Sequence, residues 1–293
     1  RGCPPFRNLS LVKGIPLRFR IYILLLLSMG IFSLLGGHNR VIERNFIFFP
    51  EKAMVEDPGN LGLDFEDVYF TTIDGVKLHG WFVPGESEVT WLWFHGNAGN
   101  ISHRLDNLDI LRDRLGVSVF LFDYRGYGRS EGQVSEEGTY LDAEAALAYL
   151  RSRQDVDQGK IAFFGRSLGC AVAVDLASRR RPYALILESP FTSISDMAQR
   201  TVPLIPIGAL LRTKFDSLSK IDGISAPLLI LHGDRDEVVP IELGRQLYEA
   251  ANEPKKFYTI PNAGHNNTYM LGGEEYFAVL RRFLAELVEK TSQ

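Results

Sequence analysis

The chain has 293 residues, of which 45% are hydrophobic and 23% are charged, with 27 glycines and 14 prolines. This composition is typical of a globular protein and excludes disordered, collagenous and coiled-coil chains. Two cysteines, Cys3 and Cys170, are too few for a disulfide scaffold or a cysteine-rich zinc site, and the net charge of −4 argues against a nucleic-acid-binding protein.

The charge is distributed unevenly along the chain. The first 20 residues contain five basic side chains and no acidic one, so the rest has a net charge of −9, from 27 basic and 36 acidic residues. Residues 21–37 then form a run of 17 residues without a charge, close to the shortest helix that spans a bilayer, about 17 to 25 residues. We interpret residues 1–20 as a basic cytoplasmic tail and residues 21–37 as a transmembrane anchor.

Two alternatives for the apolar run are a buried core helix and a cleaved signal peptide. Five unpaired cations beside the run disfavour a core helix. A signal peptidase site needs small residues, whereas Leu34 and Leu35 occupy the −3 position of the candidate sites near Gly36 and Gly37. Because basic flanks stay in the cytoplasm, an uncleaved anchor predicts a single-pass protein whose main part lies on the opposite side of the membrane.

The remaining chain alternates between short apolar runs and helical patterns. Residues 38–61 are predicted to be a linker, and a hairpin follows, with strands at 65–72 and 76–83 around the turn residues Asp74 and Gly75. Further strands are predicted at 90–94, 117–122, 160–164, 183–187, 227–231 and 256–260, and helices at 102–115, 135–151, 168–179, 241–251 and 274–289. Apolar strands joined by helices predict one α/β domain over residues 62–290, with a mostly parallel sheet covered by helices on both faces.

The sharpest local motif is G-R-S-L-G at residues 165–169, between a predicted strand and a predicted helix. In a G-x-S-x-G motif the serine lies on a strained turn, and side chains at the glycine positions would crowd the neighbouring elements. Ser167 is therefore the candidate nucleophile. A serine needs a base, and the base needs an acid that orients it.

Candidates for both groups follow later strands. The strand at 227–231 precedes three acids, Asp234, Asp236 and Glu237. We favour Asp236, because a residue just before the apolar helix entry Val-Val-Pro at 238–240 can turn back over the carboxyl edge of the sheet. Asp234 could stabilise the turn and Glu237 could be solvated. Of the six histidines, only His265 follows the last strand, in the chain order serine, acid, histidine.

An oxyanion would need two backbone N–H donors near the serine. One is the N–H of Leu168, directly after Ser167. The other is the N–H of Asn97, because the strand at 90–94 is followed by a loop rich in small residues. An ordinary connection between a strand and a helix is the alternative interpretation of this loop.

Five motifs in order resemble those of the α/β-hydrolase superfamily. They are HGNAGN at 95–100, DYRGYGRS at 123–130, GRSLG at 165–169, HGDRD at 232–236 and GHN at 264–266. More narrowly, they resemble the membrane-anchored serine hydrolases that include the yeast bud-emergence-related hydrolases and many bacterial members. The resemblance implies an eight-stranded sheet whose second strand is antiparallel, and a triad of Ser167, Asp236 and His265. Cys170 and Asn267 depart from the residues common in this group, and neither belongs to the triad.

The resemblance implies a serine hydrolase that cleaves carboxylic esters. Because the sequence has no H-E-x-x-H motif and no cluster of histidines and cysteines, we expect no metal, and we expect no other cofactor. A thioesterase or a serine exopeptidase on the same triad, and a catalytically inactive binding module, are the alternatives. Residues 191–221 contain an apolar stretch that we interpret as a small lid, which favours lipid-like or acylated substrates beside a membrane. Glycosylation signals at Asn100 and Asn266 fall in the loops of the predicted site, where attached glycans would obstruct it. This disfavours a eukaryotic compartment that glycosylates proteins, so we expect a bacterial inner-membrane protein.

Overall fold

Eight strands form a single sheet at the centre of the structure, a computed structural model that describes residues 47–201 and 211–291. In chain order the strands are β1 (Glu66–Thr71), β2 (Lys77–Val83), β3 (Thr90–Phe94), β4 (Ser118–Phe122), β5 (Ile161–Arg166), β6 (Leu185–Glu188), β7 (Leu228–Gly233) and β8 (Lys255–Ile260). Their order across the sheet is β8-β7-β6-β5-β3-β4-β2-β1, and β2 runs antiparallel to both neighbours. The expected mostly parallel sheet with an antiparallel second strand is confirmed.

The helices connect successive strands and are bounded by local signals. They are α1 (Leu105–Leu115), α2 (Glu136–Ser152), α3 (Leu168–Arg179), α4 (Ile194–Thr201), α5 (Leu218–Ile221), α6 (Ile241–Ala250) and α7 (Thr268–Thr291). The side chain of Ser135 accepts a hydrogen bond from the Gly138 N–H and caps α2. Helix α7 begins six residues before its predicted start, and Gly273, with a φ of 52°, interrupts it just before the predicted helix.

Apolar side chains on the two faces of the sheet form two separate cores. Along β3, Leu92 and Phe94 lie in the core under α2, α3 and α6, whereas Trp91 and Trp93 lie in the core under α1 and α7. This alternation follows from the two-residue period of a strand. Helices therefore cover both faces, as the continuous apolar runs predicted.

Residues 47–61, which belong to the predicted linker, pack on the loop that follows β3. Phe49–Pro50 pairs in parallel with Ala98–Gly99, and Phe48 is buried against the ring of Phe215. The side-chain amide of Asn100 donates to the carbonyl oxygens of Glu51 and Ala53, at 3.0 and 2.7 Å. The segment thus belongs to the packed body of the described structure.

Several predicted features lie outside the described residues. They are the basic tail at 1–20, the anchor at 21–37, the first part of the linker, and residues 202–210 of the lid. Among the helices in residues 47–201 and 211–291, none combines the length and apolar character needed to span a membrane.

Candidate active site

Ser167 lies on the tight turn between β5 and α3, at the carboxyl edge of the sheet. Its backbone has φ 53° and ψ −119°, an unusual conformation for a residue with a side chain. A Cβ at Gly165 would lie 2.7 Å from the Cα of Cys170, and one at Gly169 would overlap the carbonyl oxygen of Phe94. Both glycines therefore allow the close approach that holds this turn in place.

Ser167, His265 and Asp236 form one hydrogen-bonded row. His265 Nε2 lies 3.1 Å from Ser167 Oγ, and its Nδ1 lies 2.8 Å from Asp236 Oδ2. The three residues come from the loops after β5, β8 and β7, whose carboxyl ends share one edge of the sheet. A histidine between a hydroxyl and a carboxylate can take a proton from the first and keep its orientation from the second.

The carboxylate of Asp236 is held as an anion by donors on both oxygens. The backbone N–H groups of Val238 and Val239 donate to Oδ1, at 3.0 and 2.8 Å. Burial raises the pKa of this carboxyl, but the hydrogen bonds from His265 and Val239 outweigh that effect and leave the pKa below its ordinary value. Asp236 is thus a charged partner for His265.

The two other acids of this loop play different parts. Asp234 is exposed and accepts a hydrogen bond from the Asn262 N–H at 2.7 Å, which ties together the loops after β7 and β8. Glu237 is exposed, with its carboxylate beside Gly264. Of the three acids, the structure brings Asp236 to the histidine.

The loop after β3 places the backbone N–H of Asn97 near Ser167, and the N–H of Leu168 directly follows the serine. A Cβ at Gly96 would lie 3.6 Å from the Ser167 Cβ, so this loop borders the serine. The side chain of Asn97 donates to the Ile47 carbonyl and accepts from the Tyr127 hydroxyl at 3.1 Å, which holds the loop. In the described part of the chain, the N–H groups of Asn97 and Leu168 donate to no protein acceptor. They are available to bind an oxyanion.

A buried ion pair supports His265 from below, and sequence reasoning missed it. Arg166 Nε lies 3.0 Å from Glu188 Oε1, and its Nη2 donates to the His265 carbonyl oxygen at 3.0 Å. Thr268 and Tyr276 donate to the two oxygens of Glu188. The sequence offered one signal for this pair. Glu188 is a charged residue directly after the apolar run 185–187, and Arg166 is the charged residue within the G-x-S-x-G motif.

Two further histidines at strand ends, His95 and His232, have structural roles. His95 is buried and bonds the Gly96 carbonyl oxygen at 2.7 Å, and burial, followed by the charge of Arg104, lowers its pKa to about 3. His232 is buried and bonds the Val239 carbonyl oxygen at 2.9 Å. Both rings therefore brace loops of the site as neutral groups.

Ser167 and His265 open into a cavity of about 360 Å³. Its walls are mainly apolar and include two arginines, Arg104 directly before α1 and Arg166 at the end of β5. The apolar walls include Phe49, Leu168, Phe191, Ile194, Met197 and Val238. Three of these side chains come from the described part of the predicted lid, at residues 191–197. Within the described residues, no three His, Cys, Asp or Glu side chains are grouped to hold a metal ion.

The strand order and the serine turn define the class of protein. One antiparallel strand in an otherwise parallel eight-stranded sheet, and a serine on a strand-to-helix turn followed in the chain by an acid and a histidine, are the marks of the α/β hydrolases. The profile of the family described as "Serine aminopeptidase, S33" matches residues 90–219.

Curated relatives show the family directly. An uncharacterized protein of Mycobacterium tuberculosis is 41% identical over 247 residues, covering 83% of this chain and 88% of that protein. The α/β hydrolase domain-containing protein WAV2 of Arabidopsis thaliana is 39% identical, over 78% of this chain and 80% of its own. Protein bem46 of Schizosaccharomyces pombe is 36% identical, over 81% and 83%. The chain belongs to the α/β-hydrolase family that includes bem46 and WAV2, which confirms the resemblance.

A solved structure shares the fold over most of the chain. An esterase of Pyrococcus furiosus is 23% identical and superposes with a TM-score of 0.70. The match covers 82% of this chain and 98% of the esterase. The two chains therefore have the same α/β-hydrolase architecture.

Proposed function

We propose that this protein is a serine hydrolase that cleaves carboxylic esters through an acyl-enzyme. The row of hydrogen bonds from Asp236 through His265 to Ser167, at the mouth of a mainly apolar cavity, carries the proposal. Membership of the α/β-hydrolase family supports hydrolysis as the reaction class. The Pyrococcus furiosus protein that shares this fold is an esterase, which supports ester substrates.

The proposed reaction has two halves, formation of the acyl-enzyme and its hydrolysis, and the same residues act in both. His265 Nε2 takes the proton of the Ser167 hydroxyl while Oγ attacks the ester carbonyl carbon, and the N–H groups of Asn97 and Leu168 bind the oxyanion. The tetrahedral intermediate collapses as His265 gives the proton to the departing alcohol. Water then attacks the acyl-enzyme by the same route and releases the acid. Asp236 stabilises the imidazolium in both halves.

The cavity walls favour esters of apolar acids over peptides with a free amino terminus. An aminopeptidase has to hold a protonated amine, and a buried ammonium group is costly unless an opposite charge pairs with it. The described residues that line the cavity include two arginines and no aspartate or glutamate. A volume of about 360 Å³ lies at the lower end of small-molecule sites, about 300–1,000 Å³. A thioesterase on the same residues remains the second candidate, because thioesters react by the same steps.

The proposal is tested by active-site labelling followed by a substrate panel. A fluorophosphonate probe is expected to label the wild-type protein and not Ser167→Ala, whose circular dichroism spectrum should match the wild type. Esters of 4-nitrophenol with C2 to C16 acids, the matching thioesters and amino-acid amides then rank the bond cleaved. Labelling that persists in Ser167→Ala, or faster cleavage of amides than of esters, contradicts the proposal.

We also propose that residues 21–37 tether the chain to a bacterial inner membrane, with residues 1–20 in the cytoplasm and the hydrolase on the opposite side. The five basic residues of the tail and the uncharged run that follows them support this topology. Residues 191–221 would then act as an apolar lid facing lipid-like or acylated substrates. Extraction of the protein by carbonate, or digestion of the tail by external protease in spheroplasts, contradicts the tether or its orientation.

A further inference from the structure

Arg104 lines the cavity that Ser167 and His265 open into, directly before α1. One of its terminal nitrogens donates to the Ala98 carbonyl oxygen. The residue as a whole is half-buried, and its Nε–H is buried with no acceptor among the described residues. Among the described residues, no carboxylate lies within ion-pair distance of this guanidinium. Because buried charged donors are normally paired, this arginine is an unusual feature of the site.

Arg166, the other arginine that lines the cavity, differs from Arg104 because it has an ion-pair partner. Arg166 pairs with Glu188 at 3.0 Å and donates to the His265 carbonyl oxygen. The buried acid that acts on Arg104, Asp123, lies beyond ion-pair distance of it, and its Oδ1 accepts from the Ile101 N–H at 3.0 Å. Its Oδ2 has no hydrogen-bond partner among the described residues, and burial raises the pKa of this carboxyl. Among the described residues that line the cavity, Arg104 therefore has no ion-pair partner, whereas Arg166 has one.

Electrostatics around Arg104 favour an anion. Burial, followed by repulsion from Arg166, lowers the pKa of Arg104 to about 10, so the guanidinium stays charged at neutral pH. A bound anion would replace the lost hydration and offset this repulsion. A guanidinium presents a planar set of donors that matches a carboxylate or a phosphate, and charge-assisted hydrogen bonds of this kind are strong in partly buried sites.

We propose that Arg104 binds an anionic group of the substrate, a carboxylate or a phosphate, close to the ester that Ser167 attacks. This inference rests on the proposed ester hydrolysis and narrows its substrates to negatively charged esters with an apolar part. The apolar walls at Phe191, Ile194 and Met197 hold the uncharged part. The anion sits on the acyl side or on the alcohol side of the ester, and matched substrates distinguish the two.

The test compares charged and neutral esters of the same shape. On the acyl side the pair is 4-nitrophenyl glutarate, with a free carboxylate, and 4-nitrophenyl pentanoate. On the alcohol side the pair is 4-(butanoyloxy)benzoate and its methyl ester. Wild type is expected to prefer the anionic member of one pair. In Arg104→Met the ratio of kcat/KM between its members should fall about tenfold to a hundredfold.

Two further variants separate binding from support of the loop. Arg104→Lys keeps the positive charge and is expected to restore part of the preference. Arg151→Gln removes an exposed arginine of α2 outside this cavity and should leave both kinetic constants unchanged. If Arg104→Met slows the neutral and anionic members equally, Arg104 only supports the Ala98 loop and the inference is wrong. A wild type that prefers the neutral member of both pairs also overturns it.

Binding without turnover keeps this inference distinct from the proposed reaction. Monomethyl glutarate and inorganic phosphate are titrated into Ser167→Ala by calorimetry, at fixed ionic strength, and then into Ser167→Ala combined with Arg104→Met. Binding that weakens at least tenfold in the double variant supports the anion site, even if no ester is hydrolysed. Equal binding to the two proteins, or binding to neither, overturns it.

Discussion

Asp236 differs from its neighbouring acids in how its two oxygens are used. One oxygen accepts from two backbone N–H groups and the other faces His265. The carboxylate is therefore fixed in position before any substrate arrives. Fixed donors and acceptors of this kind lower the reorganisation that a reaction requires.

Replacing the Asp236 carboxylate by an amide should impair catalysis while preserving the shape of the hydrogen-bonded row. In Asp236→Asn the amide oxygen keeps the Val238 and Val239 bonds, but an NH₂ group then faces His265 and favours the wrong tautomer. We expect kcat for 4-nitrophenyl butanoate to fall about 10³- to 10⁴-fold. Asp234→Asn is the matched control, because Asp234 is exposed and its side chain accepts a hydrogen bond from the Asn262 N–H, and its kcat should stay within about threefold. Equal losses in both variants would show that Asp236 has no special role.

Acid should weaken the fold through the carboxylate of Asp74. Hydrogen bonds from Arg125, and then from Thr72, lower the pKa of Asp74 to about 2. A carboxyl with a lowered pKa stabilises the folded state above its ordinary pKa of about 4, and this contribution disappears as the pH falls towards 2. The free energy of unfolding, measured with urea at pH 7, 4, 3 and 2, should therefore be higher for wild type than for Asp74→Asn at pH 7. This difference should disappear between pH 4 and pH 2. A constant difference between the two proteins across the series would contradict the assignment.

At the scale of elements, the turn carrying Ser167 depends on the contact between β3 and α3. Gly169, in the first turn of α3, lies against the carbonyl groups of Phe94 and His95. A methyl group has no room there, so strand and helix would have to separate. Because His95 begins the loop that contains the Asn97 N–H, separation would also displace this proposed oxyanion donor.

Gly169→Ala is expected to lower the free energy of unfolding by about 2 to 3 kcal/mol and to reduce labelling of Ser167. Urea denaturation followed by tryptophan fluorescence measures the first effect. Gly223→Ala is the control, because a Cβ there would meet only the Lys220 carbonyl oxygen at 3.5 Å, an ordinary contact. That variant should be unchanged or more stable by up to about 1 kcal/mol. A Gly169→Ala protein as stable as Gly223→Ala would refute the close contact.

Strands and motif order were predictable from sequence because both are local. Every strand boundary lies within two residues of its predicted position, since apolar runs and the turn at Asp74 and Gly75 mark the ends directly. The meeting of Ser167 and His265 followed from chain order, because the carboxyl ends of parallel strands share an edge.

Contacts between distant segments could not be predicted in this way. Arg166 with Glu188, and Arg104 with the Ala98 carbonyl, depend on where long side chains point after the strands have packed. Residues 47–61 show no regular apolar period, so their docking on the loop after β3 left no signal in the pattern. The start of α7 at Thr268 was missed because Gly273 breaks the helical repeat.

At the scale of the whole molecule, the segment before β1 is part of the site. Residues 47–53 supply a pairing partner for Ala98–Gly99 and carbonyl acceptors for the side chains of Asn97 and Asn100. The loop that holds the Asn97 N–H is therefore braced from outside the sheet. Removing the segment should affect catalysis more than folding, because β1 and the sheet follow it.

Truncation tests this support. A chain that starts at residue 47 should keep most of its kcat with 4-nitrophenyl butanoate, whereas one that starts at residue 62 should lose about 100-fold, the effect of misplacing one oxyanion donor. Circular dichroism and the urea midpoint of both chains report whether the sheet is intact. Full activity in the shorter chain would show that the loop after β3 holds its shape alone.

If residues 21–37 are a membrane anchor, the position of Ile47 limits how far the cavity can lie from the membrane. This residue lines the cavity and accepts a hydrogen bond from the Asn97 side chain, and it follows residue 37, the end of the proposed anchor, by ten positions. Ten extended residues reach at most about 35 Å. With the anchor in a bilayer, the entrance to the cavity stays within that distance of the lipid surface. The turnover rate would then depend on the concentration of ester within this distance of the membrane. A change in how the ester partitions between water and the membrane would alter the rate without any change in the protein.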